Sequence, residues 1–156
     1  MGNMKNTFVM VIILLVSIDL APMLAGAEPT MSDMAERSNK MMAIEKDLRD
    51  LVEYTQGIDR DAANGLQQIA SISSTRILNI SAFLRIMTMI ENQDDRNRVN
   101  SFIIGAIKFE VKGIDIDIKG VNLMLSYARN NAIILTGNQL KTELRKLQEL
   151  LSPENN

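Results

Sequence analysis

Side chains that could carry out chemistry are scarce in this sequence of 156 residues. Cysteine and histidine are both absent, which excludes thiol nucleophiles, histidine-based triads, most zinc sites and the common modes of haem attachment. The carboxylates, lysines and hydroxyls that remain form no glycine-rich phosphate loop, nucleophile elbow or motif of spaced carboxylates. We therefore predict that the protein is not an enzyme and takes no cofactor.

Methionine is the soft metal-binding residue type that remains, because thioethers are soft ligands for monovalent copper. Met31 and Met34 can share one helical face, and Met41 and Met42 follow two turns later. Methionine also packs well in irregular cores, and no histidine is present to complete a site. Core packing is the favoured interpretation, so we predict no metal site and keep a methionine-based soft-metal binder as the less favoured alternative.

Arg76 lies near the centre of a predicted apolar helix face. Its apolar neighbours on that face are Ile69, Ile72, Ile80 and Phe83. A buried guanidinium without a partner costs several kcal/mol, which predicts a carboxylate beside it. The candidate partners are Glu45, Glu110 and Asp117, and the sequence does not separate them. A structural ion pair, or an arginine that reaches the edge of the core, is favoured over an anion or ligand site.

The elements that must position these residues follow a predicted secretory signal peptide over residues 1–27. Lys5 gives a positive start, residues 8–18 form a short apolar run, and small residues at 25–27 suit signal peptidase. An uncleaved anchor is the alternative. Cleavage predicts a periplasmic or secreted protein, with no stable membrane anchor and a single helical-bundle domain over residues 28–156.

Hydrophobic periodicity predicts an all-α fold. The predicted helices cover about residues 32–56, 61–92, 95–130 and 136–151. Three long helices and one short C-terminal helix predict a four-helix up-and-down bundle with short loops. The last helix is placed by Thr136 and Gln139, which have the spacing of a capping box. Residues 132–135 then form a buried connector after the third helix, or else extend that third helix.

Residues 107–119 also fit a β-hairpin. Apolar residues alternate there on both sides of Lys112 and Gly113, which would form a two-residue turn. The hairpin would place Glu110 opposite Asp115, a like-charge pair, and no third strand is found to support it. The helical pattern is longer, so a helix is the favoured interpretation.

The predicted third helix carries two apolar lines on opposite sides. The broad line over residues 103–128 suits a core-facing helix. The narrow line consists of Phe102, Phe109, Ile116 and Leu123, which repeat every seven residues. Ala106, Gly113 and Gly120 lie beside it. Two interpretations stay open: burial under the short last helix, or an interface with a protein partner or a second copy in a homodimer.

The segment Leu135-Thr136-x-x-Gln139 resembles the Leu-Thr-x-x-Gln motif of the small helical periplasmic chaperones of the Spy/CpxP type. That resemblance covers five residues and implies a chaperone-like holdase, which we keep as the alternative. The first hypothesis is a non-enzymatic adaptor, inhibitor or immunity-like binder, because the third helix is two-sided. A net charge of −2 and few aromatic residues argue against a nucleic-acid partner.

Overall fold

The computed structural model of the protein describes residues 29–151. Its helices are α1 (Met31–Tyr54), α2 (Gly57–Met89), α3 (Gln93–Tyr127) and α4 (Asn131–Leu151). This part of the chain contains no strand, so the predicted all-α class is confirmed. None of these helices is both long and apolar enough to cross a membrane. The predicted signal peptide, residues 1–27, lies outside the described residues.

The alternative hairpin over residues 107–119 is wrong, because α3 continues through this segment without a break. The helix buries Ile114 and Val121 completely, whereas a hairpin would have had no third strand to cover its apolar face. The longer of the two competing periodicities therefore determined the secondary structure.

α2 and α3 pack closely because glycines lie along their contact. The close approaches join Gly65 to Met124, Ile69 to Gly120 and Arg76 to Gly113. Residue numbers rise along one helix as they fall along the other, so this pair is antiparallel. Gln148 donates to Asp115 and Leu125 lies against Gly137, which makes α3 and α4 antiparallel as well.

The core lies between all of the helices and is mainly aliphatic. Its largest fully buried side chains are Met34, Met41, Leu48, Leu66, Ile77, Ile80, Ile114, Val121, Ile133, Leu140, Leu144 and Leu147. Most of them belong to the predicted apolar faces. Ile72 was placed on such a face but is 49% exposed, because α3 packs on the adjacent side of α2.

The start of α4 differs from the prediction. The helix begins at Asn131, and the Asn130 side chain accepts a hydrogen bond of 2.9 Å from the Ala132 N–H. Asn130 is thus the residue that caps the helix. Thr136 lies more than a turn inside α4 and is buried, so the predicted capping box is wrong. Residues 132–135 belong to α4, so they neither form a connector nor extend α3, which ends at Tyr127.

The connection between α1 and α2 needs a glycine. Thr55 and Gln56 are extended, and Gly57 has a φ of 58°, a left-handed conformation that costs other residues steric strain. The periodicity predicted that the second helix begins at about residue 61. The structure instead begins α2 at Gly57 itself.

Asp59 connects the start of α2 to the turn between α3 and α4. Its carboxylate accepts backbone hydrogen bonds from Arg129 at 2.7 Å and from Asn130 at 3.0 Å. These N–H donors stabilise the charged carboxylate and lower the pKa of Asp59 below its ordinary value. A side chain near one helix start therefore holds the chain that leads into another.

We predict opposite effects for two glycine-to-alanine substitutions. A Cβ at Gly57 or at Gly105 would meet no atom within 4 Å, so only the backbone conformation distinguishes the two sites. Gly57→Ala should lower the free energy of unfolding by about 1 kcal/mol because its φ is positive. Gly105→Ala, inside α3, should raise it by up to about 1 kcal/mol. Urea denaturation measures both, and equal effects would contradict the left-handed Gly57.

We also predict that stability depends on Asp59 at low pH. Because folding lowers the Asp59 pKa, its contribution is present above the ordinary value of about 3.9. That contribution is lost as the pH falls through the lower folded value. Carbon-detected NMR titration should give a pKa for Asp59 in the folded protein below the ordinary value. In Asp59→Asn, the free energy of unfolding should fall less steeply as the pH is lowered. A pKa at or above the ordinary value would disprove the contact.

Candidate interaction surface

Arg76 joins α2 to α3 through two carboxylates. Its Nε donates to Asp117 Oδ2 at 2.9 Å, and its Nη1 donates to Glu110 Oε2 at 3.0 Å. The structure therefore brings Arg76 together with two of its three candidate partners. The third, Glu45, pairs with Arg49 on α1. Both carboxylates of α3 are buried, at 7% and 6% exposure.

Two polar residues of α2 complete this cluster. Ser73 donates to Asp117 at 3.1 Å, and Asn79 donates to Glu110 at 2.9 Å. Each α3 carboxylate therefore has two donors from α2, as buried charges require. Arg76, Ser73 and Asn79 all donate to carboxylates of this chain, which suits a structural role rather than anion binding.

Gly113 provides the space in which the guanidinium lies. A Cβ at this position would stand 2.1 Å from Arg76 Nη1, far inside contact distance. Desolvation alone would lower the pKa of Arg76, but the hydrogen bonds to Asp117 and Glu110 outweigh it and raise that pKa above its ordinary value. Arg76 is thus a permanent cation at the seam between α2 and α3.

The narrow line on α3 lies on the surface. Phe102 and Phe109 are each 71% exposed, Ile116 is 66% exposed and Leu123 is 51% exposed. We call these four residues the outer row. α4 packs on a different side of α3, where Asp115 and Leu125 meet it. Burial of the outer row by the last helix is therefore wrong.

The two sides of the outer row differ in chemistry. Residues three and four positions apart are neighbours on a helix surface. The positions three residues after each member of the row are Gly105, Lys112, Lys119 and Ser126. The positions four residues after are Ala106, Gly113, Gly120 and Tyr127. The row therefore runs between an exposed side with two lysines and a side of mostly small residues that faces α2.

α2 adds apolar side chains beyond the small residues. Ile72 and Ile86 are 49% and 44% exposed. Ile72 precedes Arg76 by one helical turn, so both lie on the same side of α2. The register set by Arg76 and Gly113 places Ile72 near the level of Ile116 and Ile86 near the level of Phe102. Sequence reasoning placed Ile72 on the core face, because its spacing also fits that face, and it did not single out Ile86.

The four methionines considered for metal binding do not share a surface. Met34 and Met41 are buried in the core at 0% and 1% exposure, whereas Met31 and Met42 are 44% and 51% exposed. The buried pair packs among aliphatic side chains, in keeping with the core interpretation of methionine.

A shallow groove between α1 and α4 contains part of the chaperone-like motif. Its lining includes Lys40, Ile44, Leu135, Gln139 and Glu143. Leu135 is 63% exposed, and Thr136 points to the other side of α4, where it is buried. The motif thus lies on two faces of a continuous helix rather than at a helix start.

Comparison of the chain with protein-family models, with curated proteins and with solved structures gives no match.

We predict that Arg76→Ala destabilises the fold strongly. The change leaves Glu110 and Asp117 buried without their cation, which should cost about 3 kcal/mol or more. Arg85→Ala is the matched control on the same helix, since Arg85 is exposed and makes no ion pair within residues 29–151. That control should change stability by less than about 0.5 kcal/mol. Denaturant unfolding measures both, and a similar small loss for Arg76→Ala would show that the cluster is solvated.

Proposed function

We propose that the protein is an exported, non-enzymatic up-and-down helical bundle that acts through protein–protein interaction, as an adaptor, inhibitor or immunity-like binder. In this proposal the chain is cleaved after residue 27 and works in the periplasm or outside the cell. The observation that carries the proposal is the exposure of the outer row on the longest helix.

The size of the outer row supports an interface. Four large apolar side chains exposed by half or more amount to several hundred Å², the order at which surface patches mark interaction sites. From Phe102 to Leu123 the row follows about 32 Å of helix. Isolated exposed apolar residues are common on soluble proteins, but a regular row of this length is not explained by the fold.

The surroundings of the row support a preformed binding surface. The row lies on a helix that is fixed to α2 by the Arg76 cluster, so binding would not need to order it first. Rigid presentation of apolar side chains lowers the entropy cost of association.

A holdase of the Spy/CpxP type remains the second candidate. The observation that favours it is that exposed apolar side chains also occur outside the row, at Leu78, Met89 and Leu135. A holdase would suppress aggregation of many unfolded clients and would lose little from one substitution. An adaptor or inhibitor would instead depend on the centre of the outer row.

The proposal predicts a binding defect without a folding defect for Phe109→Asp. Phe109 is 71% exposed, so the substitution should change stability by less than about 0.5 kcal/mol. It places a charge at the centre of the row and should therefore abolish crosslinking to a partner in the native compartment. Leu135→Asp is the matched control, because Leu135 is 63% exposed but lies on α4.

Three results would decide the matter. Loss of the crosslinked species with Phe109→Asp, but not with Leu135→Asp, supports the proposal. Unfolding of Phe109→Asp would mean that the row belongs to the core. Unchanged capture by both variants, together with broad suppression of client aggregation, would favour the holdase.

A further inference from the structure

The exposed side beside the outer row has a net positive charge, because it carries three lysines and one aspartate, Asp115. Lys112 lies between Phe109 and Ile116 on the exposed side, and Lys119 lies between Ile116 and Leu123. Lys108 is also exposed near this side. None of the three lysines makes an ion pair within residues 29–151, so each is available to an outside partner.

Two of the three α3 carboxylates near this surface are buried. Glu110 and Asp117 are hydrogen-bonded to Arg76, Asn79 and Ser73. The third, Asp115, is exposed between Lys112 and Lys119 and accepts a hydrogen bond from Gln148 on α4, a neutral donor. Residues 62–89 of α2 contain no acidic residue. The surface around the outer row therefore combines apolar side chains with a side on which three lysines outnumber one exposed carboxylate.

A second copy of the chain does not complement this surface. If two outer rows packed antiparallel about a two-fold axis, the lysine side of one copy would face the lysine side of the other, each with three lysines and only Asp115 to balance them. If they packed parallel, the lysines would face α2 of the second copy, which offers no carboxylate over residues 62–89. Either closed dimer would place a net positive side against neutral residues or against the same net charge, which costs binding energy.

The long, narrow shape of the surface suits a single bound helix. The outer row is one residue wide, with lysines on one side and small residues next to α2 on the other. An apolar row of this kind is covered by one amphipathic helix through anchors at i, i+3, i+4 and i+7. A flat membrane surface would contact the lysine side and the small-residue side of the row equally, but these two sides differ in chemistry.

We infer that the outer row docks an amphipathic helix of a partner protein whose apolar face is bordered by carboxylates on the side that meets Lys112 and Lys119. This inference rests on the function proposed above and adds the chemistry of the partner. The apolar row supplies the contact area, and the lysines select the charge and orientation of the bound helix.

A charge-swap experiment tests the inference with two synthetic helices of about three heptads. Both helices carry leucine along one face, and they differ only in glutamate or lysine beside it. The isolated protein should bind the glutamate helix at least about tenfold more tightly than the lysine helix, with the preference falling as salt is added. Fluorescence anisotropy measures both affinities.

The variant Lys112→Glu/Lys119→Glu should reverse this preference, so that the lysine helix binds more tightly. Lys46→Glu/Arg145→Glu is the matched control: it makes the same change in net charge at exposed residues of α1 and α4 that form no ion pair within residues 29–151. The control should retain the preference for the glutamate helix. Phe109→Asp should weaken the binding of both synthetic helices.

The failures are distinguishable. Equal binding of both helices that still depends on Phe109 would overturn the charge inference and leave the proposed function standing. Binding of neither helix would overturn the inference, and loss of Phe109-dependent crosslinking as well would overturn the proposed function. Self-association lost in Phe109→Asp would identify a second copy as the occupant. Stronger binding to anionic phosphatidylglycerol vesicles than to the glutamate helix would identify a membrane.

Discussion

The guanidinium of Arg76 lies over Gly113 and binds Glu110 and Asp117, and the alignment of α2 on α3 depends on this contact. If α2 were shifted along α3 by one turn, Arg76 would face a residue with a side chain and the two buried carboxylates would lose their cation. The contact therefore fixes the levels at which the exposed isoleucines of α2 stand beside the outer row.

Such a cluster is not the most stabilising way to join two helices. Well-packed apolar residues often stabilise a fold as much as a buried ion pair does, because they avoid the desolvation penalty. What the cluster adds is selectivity among helix pairings, since only one register satisfies all of its charges. An aliphatic seam between α2 and α3 would tolerate several registers, because residues such as Ile69 and Ile80 recur at helical spacing along it.

The fold class and most of the core followed from periodicity, because Met34, Leu48, Ile114 and similar residues recur at helical spacing. Helix boundaries were less predictable. Asn130 was a sufficient capping signal for α4, but Thr136 offered a competing one, and only packing decided between them. The partners of Arg76 and the exposure of the outer row depend on which helix covers which face of α3. That arrangement is tertiary information, so periodicity within a single helix cannot supply it.

The seven-residue spacing of the outer row has a geometric consequence for any partner that binds along its whole length. An α-helix has about 3.6 residues per turn, so a row repeated every seven residues drifts by about 20° per repeat around a straight helix. Between Phe102 and Leu123 the row therefore winds around α3 with a left-handed sense. A straight helix laid along α3 would contact Phe109 and Ile116 but not Phe102 and Leu123 at the ends of the row. A helix that wraps around α3 in a left-handed supercoil would contact all four residues.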